Sequence, residues 1–243
     1  LVDTETTGLD ESAQVIEVAA HYVDGYGHTW SRFSTFVRPT VPIPAFISAL
    51  TGIIDEDVAG APEWPDVERA LEWFVPANAI VVAHNAEFDA RMIAPALYDR
   101  RWICTKRLAQ HLFPEESEHR LQTLRYSFGG ARLDLGGLDP HRAEADVVAL
   151  RFVLDHILAR FQDPGRDSYS TSIDDLIALS ESPVVIEKWP FGKYRGQPIV
   201  GSDPGYIRWC LREMKDLSPD LRWNLEREVR RTGSEKDRGG PAP

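Results

Sequence analysis

The chain has 243 residues, 43% of them apolar, including ten Phe and seven Trp, which is enough to bury a sizeable core and excludes global disorder. Thirty-eight acidic residues against 27 basic ones leave a net charge of −11, which speaks against a protein that merely holds nucleic acid by charge. With only two cysteines, Cys104 and Cys210, a disulfide framework or a cysteine-based zinc site is excluded, and a reducing, cytoplasmic setting is expected.

The charge is unevenly spread. Residues 1–163 hold 14 basic against 25 acidic side chains, whereas residues 164–243 hold 13 of each. An acidic first part remains compatible with a nuclease, because bound divalent cations invert the local field where a phosphate sits. No apolar run approaches the length of about 18 residues that a membrane span needs, and no basic-then-apolar leader occurs, so no membrane partner is expected. The sequence opens on Leu1-Val2-Asp3 without a Met, as though a strand were entered midway, and residues preceding Leu1 are expected.

In chain order, Leu1-Val2, residues 14–23 and residues 29–37 read as three consecutive strands, rich in β-branched and aromatic side chains. A proline-rich connector spans 39–44. Helices are predicted over 45–50 and 65–76, the second with Pro65 near its first turn. A short buried strand over 79–83 precedes a helix from Glu87 to Arg100. Residues 102–105 read as another strand, 120–128 as a helix and 141–162 as a long amphipathic helix. Three leading strands followed by an α-β-α series predict an α/β domain over 1–162, a mixed sheet flanked by helices. A polar linker over 163–172 leads to a small α+β C-terminal module over 173–231: a helix near 173–181, the strand-like VVIEKW, and helices near 204–214 and 218–231. Residues 232–243 read as a disordered tail.

Three short blocks carry chemistry. In Asp3-Thr4-Glu5-Thr6-Thr7-Gly8, strand periodicity puts Asp3 and Glu5 on one face, where two carboxylates repel unless a hard cation such as Mg²⁺ or Mn²⁺ lies between them. In His84-Asn85-Ala86-Glu87-Phe88-Asp89, Asp89 falls in the first turn of a helix that follows an apolar strand. In His141-Arg142-Ala143-Glu144-Ala145-Asp146, an ideal helix would set His141 and Asp146 about 140° apart, so His141 must sit in the loop ahead of the helix if it is to reach the same site. Each block alone is equally an ordinary strand end or a solvated helix start. Together they supply four carboxylates at element ends and one histidine. Two metal ions clamping a phosphoryl displacement need about that many oxygen ligands, and the histidine could take a proton from the attacking water.

In this order and spacing, D-T-E-T-T-G, H-N-A-x-F-D and H-x-A-x-x-D resemble the DEDDh exonuclease family. That group includes the proofreading subunit of the bacterial replicative polymerase, RNase T and exodeoxyribonuclease X. The connecting segments ISALTGIIDEDVAGAP and ICTKRLAQHLFP are also similar, and the resemblance covers residues 1–160. It implies an RNase H-like fold and 3′→5′ exonuclease activity on DNA, with repair or end-trimming as the setting. It further implies two Mg²⁺ or Mn²⁺ ions held by Asp3, Glu5, Asp89 and Asp146, with His141 as general base. The spacing of His141 and Asp146 matches the histidine subclass rather than the tyrosine one. By the same resemblance Thr6 and Leu9 would contact the 3′-terminal nucleotide, with His84 and Phe88 as further pocket walls. Single-stranded or frayed 3′ ends are the implied partners, with a homodimer and a polymerase or repair protein as further ones. RNA trimming remains the rival substrate reading, and a non-catalytic nucleic-acid-binding module the rival class.

The later motifs F-G-K-Y-x-G-x-x-I (191–199) and D-P-x-Y-I-x-W (203–209) resemble the small C-terminal module of exodeoxyribonuclease X-like proteins. Lys193 and Arg195 suit phosphate and Tyr194 suits base stacking, but Tyr206 and Trp209, three apart on a helix, read equally as a core stripe.

Overall fold

Alternation along the first strands sets the architecture. β1 (Val2–Thr6), β2 (Val15–Val23) and β3 (Thr29–Phe36) form an antiparallel sheet in that order, with Glu5 opposite Glu17 and Val18 opposite Thr35. β4 (Ile80–Ala83) and β5 (Arg101–Cys104) form a parallel pair, and β4 packs beside β1. Successive side chains point to opposite faces. Val2, Val18, Ala20 and Val81 therefore enter one core, while Leu1, Ala19, Val82 and Ile103 enter another. Both faces are buried along β1, β2 and β4, as expected where helices lie on each side, whereas β3 at the edge is largely exposed. The computed structural model describes residues 1–24, 27–162 and 172–238.

The first core is closed by α3 (Trp64–Phe74) and α4 (Ala86–Leu97), through Val67, Leu71, Ile93 and Leu97. On the other face lie α5 (Thr105–Leu112), α6 (Leu121–Ser127) and α7 (Ala143–Phe161). Nineteen residues long, α7 buries Val147, Leu150, Val153 and Ile157 completely, so truncating Leu150 or Ile157 to Ala would cost about 2–5 kcal/mol. Between β3 and α3 the chain forms two short helices, α1 (Ala45–Thr51) and α2 (Asp55–Val58), which cover Ile16 with Ile43, Ile47, Ile53 and Val58. A single turn such as α2 leaves no periodicity to read, and it was not expected.

Two compact units result, Leu1–Glu181 and Ser182–Pro243. That boundary corrects the expected one. α8 (Ile173–Glu181) belongs to the first unit, because Leu176 and Ile177 complete the core beneath α5 and α7. Arg107 Nε also donates to the Ser180 carbonyl at 2.8 Å, and Arg101 pairs with Asp174 at 2.6 Å. The expected linker lies outside the described residues except for Ser172, which precedes α8 and accepts from the Asp175 N–H.

The second unit is built on α9 (Pro204–Glu213) and α10 (Pro219–Arg238) around buried Trp189, Ile199, Ile207, Cys210, Leu221 and Leu225. Asp203 caps α9 by accepting from Gly205 N–H at 2.9 Å. The strand expected over VVIEKW is reduced to an isolated antiparallel bridge between Lys188 and Pro198, since Pro190 and Pro198 lack the N–H groups a longer ladder needs. Of the tail expected over 232–243, residues 232–238 are helical instead, because α10 continues to Arg238; residues 239–243 lie outside the described residues. Both cysteines are free, and among the described residues no helix is long and apolar enough to cross a membrane.

Candidate active site

The acidic residues converge where β1 ends. Asp3 and Glu5 share the strand face of Leu1, which is turned toward α7, while Thr4 faces α4 and donates from its hydroxyl to the Asp89 carboxylate at 2.8 Å. A register shift between Glu5 and Thr6 marks the end of regular pairing. Asp89 lies in the first turn of α4, entered through Asn85 in the left-handed region at φ 72°, a conformation Asn tolerates better than most residues. Asp146 lies in the first turn of α7 and accepts from the Gln122 side-chain amide.

Burial and neighbouring charge raise the proton affinity of the four. Burial, and then the charges of Asp89, Asp146 and Glu5, drive the Asp3 carboxyl well above the usual carboxylate range. Burial followed by Asp146, Glu17 and Asp89 pushes Glu5 up to about 9. Asp89 is pushed up to about 7, chiefly by burial, against the favourable Thr4 hydrogen bond. Burial likewise raises Asp146. Carboxylates this close and this buried do not all ionise unless positive charge lies among them. An all-oxygen set with one adjacent imidazole fits a hard divalent cation such as Mg²⁺ or Mn²⁺.

His141 stands just ahead of α7, with a positive φ of 66°. One of its ring nitrogens and one carboxylate oxygen each of Glu5 and Asp146 lie within 4.8 Å of one another. The following residue, Arg142, returns to extended backbone and turns toward β2. There Glu17 accepts from Arg142 Nη2 at 2.8 Å, Arg142 Nε at 3.1 Å and the Ala143 N–H at 2.9 Å. Glu17 therefore caps α7 from a neighbouring strand and fixes the turn that carries His141. Sequence reasoning missed it. The available signal was a lone acid inside the apolar run VIEVAA, since a buried charge must find a partner.

The profile of the RNase T exonuclease family matches residues 1–151. The chain belongs to this exonuclease family. Over 246 aligned residues, the exonuclease is 29% identical to exodeoxyribonuclease 10 of Escherichia coli strain K12, covering 96% of this chain and 99% of that one. A PolC-type DNA polymerase III of Bacillus cereus is 35% identical over 188 residues, which are 74% of this chain but 12% of the polymerase. A solved structure of exonuclease X in complex with 5′-overhanging duplex DNA superposes with a TM-score of 0.57 at 26% identity, covering 74% of this chain and 97% of that one. The fold is thus the RNase H-like α/β fold of these exonucleases.

The remaining expected residues divide. In this exonuclease Leu9 is 76% exposed beside the acidic cluster's strand, and Arg91 Nη2 donates to its carbonyl at 2.8 Å. The same guanidinium lies 5.5 Å from the Phe88 ring centroid, so Arg91, which the motifs did not single out, ties Leu9 to Phe88. Thr6 is buried and its hydroxyl donates to the Gly8 carbonyl at 2.6 Å, which occupies its one proton. His84 is engaged internally: Nε2 donates to the His119 carbonyl at 2.8 Å, and Nδ1 lies 3.0 Å from the Thr105 hydroxyl. Because the carbonyl can only accept, Nε2 carries the proton, and burial pulls the ring down to about 4, so it is neutral. Its polar atoms hold β4 to the segment after α5 and are not free for a nucleotide. A cavity of about 690 Å³, lined by Leu1, Val23, Val82, Leu154 and Leu176, includes none of Asp3, Glu5, Asp89 and Asp146 and is not this site.

Proposed function

We propose that this exonuclease removes 5′-nucleoside monophosphates from DNA 3′ ends by metal-dependent hydrolysis. The observation that carries the reading is the convergence of Asp3, Glu5, Asp89 and Asp146, their proton affinities raised by burial and, at Asp3 and Glu5, also by the neighbouring carboxylates, with the His141 ring beside Glu5 and Asp146. The four carboxylates would hold two Mg²⁺ or Mn²⁺ ions, which when bound make water more acidic and neutralise charge developing on the phosphate and the leaving oxygen. His141 takes the proton of the attacking water. The water oxygen bonds to phosphorus as the bond to the 3′-oxygen breaks, and the proton balance closes when the leaving oxygen is protonated by solvent. Leu9 and Phe88, braced by Arg91, would wall the terminal base, and the Thr6 backbone would meet its sugar. A terminal nucleotide held this way has to be unpaired, so single-stranded and frayed 3′ ends are the preferred substrates. The free cysteines suit a cytoplasmic setting. A DNA substrate is favoured by the exodeoxyribonuclease and the DNA-bound exonuclease X among its relatives.

The test is digestion of 5′-labelled single-stranded DNA and the matching RNA, with Mg²⁺ or Mn²⁺, beside an Asp3→Ala/Glu5→Ala control. A ladder shortening from the 3′ end, faster on DNA and absent in the control, is expected. Faster shortening of RNA would reassign the substrate, and intact oligonucleotides with a folded protein would overturn the enzymatic reading.

A further inference from the structure

The second unit carries an aromatic and cationic face that the catalytic site does not use. It starts from a tight turn. Gly192 has φ +70°, and a Cβ there would lie 2.5 Å from the Tyr206 hydroxyl, so only glycine lets the 191–196 turn lie against α9. The turn is closed by Arg195 N–H to the Gly192 carbonyl at 3.1 Å and Gly196 N–H to the Trp189 carbonyl at 2.8 Å. Tyr194 then meets Tyr206 edge-on, with centroids 5.0 Å apart, and Tyr206 stacks on Trp209 at 5.8 Å and 20°. Trp189, 1% exposed, supports Tyr206 from within.

A core role accounts for only part of this. On α9 it is Ile207 and Cys210 that enter the core, whereas Trp209 is 46% exposed. The Lys193 ammonium lies over the Tyr194 and Tyr206 rings, 4.7 and 4.9 Å from their centroids, with no carboxylate paired to it among the described residues. Arg195 and Arg208 are exposed and have no carboxylate partner among the described residues. The nearby acids are engaged elsewhere: Asp203 caps α9, Glu213 pairs with Arg212, and Glu228 pairs with Arg231. With α8 assigned to the first unit, residues 182–243 hold 12 Lys and Arg against 9 Asp and Glu, a net of +3. Residues 1–181 hold 15 against 29, a net of −14.

We propose that Lys193, Tyr194, Arg195, Tyr206, Arg208 and Trp209 form a binding surface for single-stranded DNA. A base stacks on the open face of Trp209, and the flanking phosphates meet Lys193, Arg195 and Arg208. Stacking on an exposed ring combined with unpaired cations is the chemistry that holds single strands without sequence preference. A surface of this kind would give an acidic nuclease the electrostatic attraction to its polymer that its catalytic unit lacks. The site is separate from the catalytic centre and stands or falls independently of it.

The experiment is fluorescence anisotropy of a labelled oligothymidylate of about 20 nucleotides with the full chain in EDTA. Without a cation the acidic cluster repels phosphate, so binding there reports the second unit. Trp209→Ala should weaken binding between about 5- and 100-fold, and Trp209→Phe should retain most of it. Lys193→Ala/Arg195→Ala, which removes two surface cations, should make the log–log salt slope shallower by about 1.4. Hydrolysis of a thymidine 5′-monophosphate nitrophenyl ester in Mn²⁺ should be unchanged in all three variants. The proposal is overturned by absence of strand binding in EDTA, by unchanged affinity and slope in the folded variants, or by equal losses for blunt duplex DNA.

Discussion

Arg142 reaches across the fold to Glu17, 125 residues away in sequence, and places Nη2 and Nε at 2.8 and 3.1 Å from the two oxygens of its carboxylate. The same carboxylate accepts from the first backbone N–H of α7. Two residues on either side of this clamp do opposite work: Glu17 is buried structure, and His141 is poised beside Glu5 and Asp146. Because His141 has a left-handed backbone, its ring direction depends on how the next residue is held.

Glu17→Gln keeps the shape of the clamp but removes its charge. Turnover is expected to fall between about 10- and 100-fold as the His141 turn loosens, with divalent-ion affinity nearly unchanged. Glu17→Ala additionally strands Arg142 and should cost about 3 kcal/mol in urea unfolding. Titration calorimetry with Mn²⁺ separates the two contributions. Loss of ion binding in the Gln variant would make Glu17 a ligand-shell residue rather than a positioning one.

Stability of the metal-free protein should depend on pH in a direction fixed by the acidic cluster. Asp3, Glu5, Asp89 and Asp146 bind protons more tightly folded than unfolded. Their contribution is full below the unfolded carboxylate range, near pH 4, and is lost as pH rises through the folded values, about 7 for Asp89 and about 9 for Glu5. In EDTA the melting temperature should therefore fall between pH 5 and 9. Mn²⁺ should restore it, and by more at higher pH. Asp3→Asn/Glu5→Gln should flatten the profile and stabilise the metal-free protein by about 1 kcal/mol or more at pH 8. A metal-free protein that grows more stable toward pH 9 would contradict the crowding of these groups.

His141→Ala should lower turnover between about 10²- and 10⁴-fold, the range of a lost general base, while Mn²⁺ affinity changes only a few-fold. Parallel loss of ion binding and activity would instead make His141 a ligand.

His84→Phe removes the hydrogen bonds to the His119 carbonyl and the Thr105 hydroxyl. Stability should fall by about 1–3 kcal/mol, with KM for oligonucleotide nearly unchanged. A raised KM at unchanged stability would return His84 to the pocket wall.

The positions of the candidate site residues were legible because their signal is local. A strand end, a helix start and a loop before a helix each mark where a carboxylate or imidazole must project, and Asp3, Glu5, Asp89, Asp146 and His141 all stand at such ends. The supporting residues were not legible, since Glu17, Gln122 and Arg91 act through partners far along the chain that no short window contains. The hydrogen bonds of His84 were not legible either. The residue lies inside a catalytic block, but its environment is set by His119, 35 residues on. The domain boundary moved because the core contacts of Leu176 and Ile177 are long-range, whereas the polar run before them is local. Strand propensity in VVIEKW was overruled by the prolines that follow.

Release of the 3′-terminal nucleotide from a 3′-labelled single-stranded DNA, followed in a single turnover, tests the central claim most directly. Asp3, Glu5, Asp89, Asp146 and His141 acting as one metal-dependent centre predict immediate release of labelled 5′-mononucleotide in Mg²⁺. EDTA should abolish it, excess Mg²⁺ should restore it, and a folded Asp3→Asn/Glu5→Gln protein should show none. Release that persists in EDTA or in that variant, or label that emerges only after the rest of the strand is consumed, would contradict it.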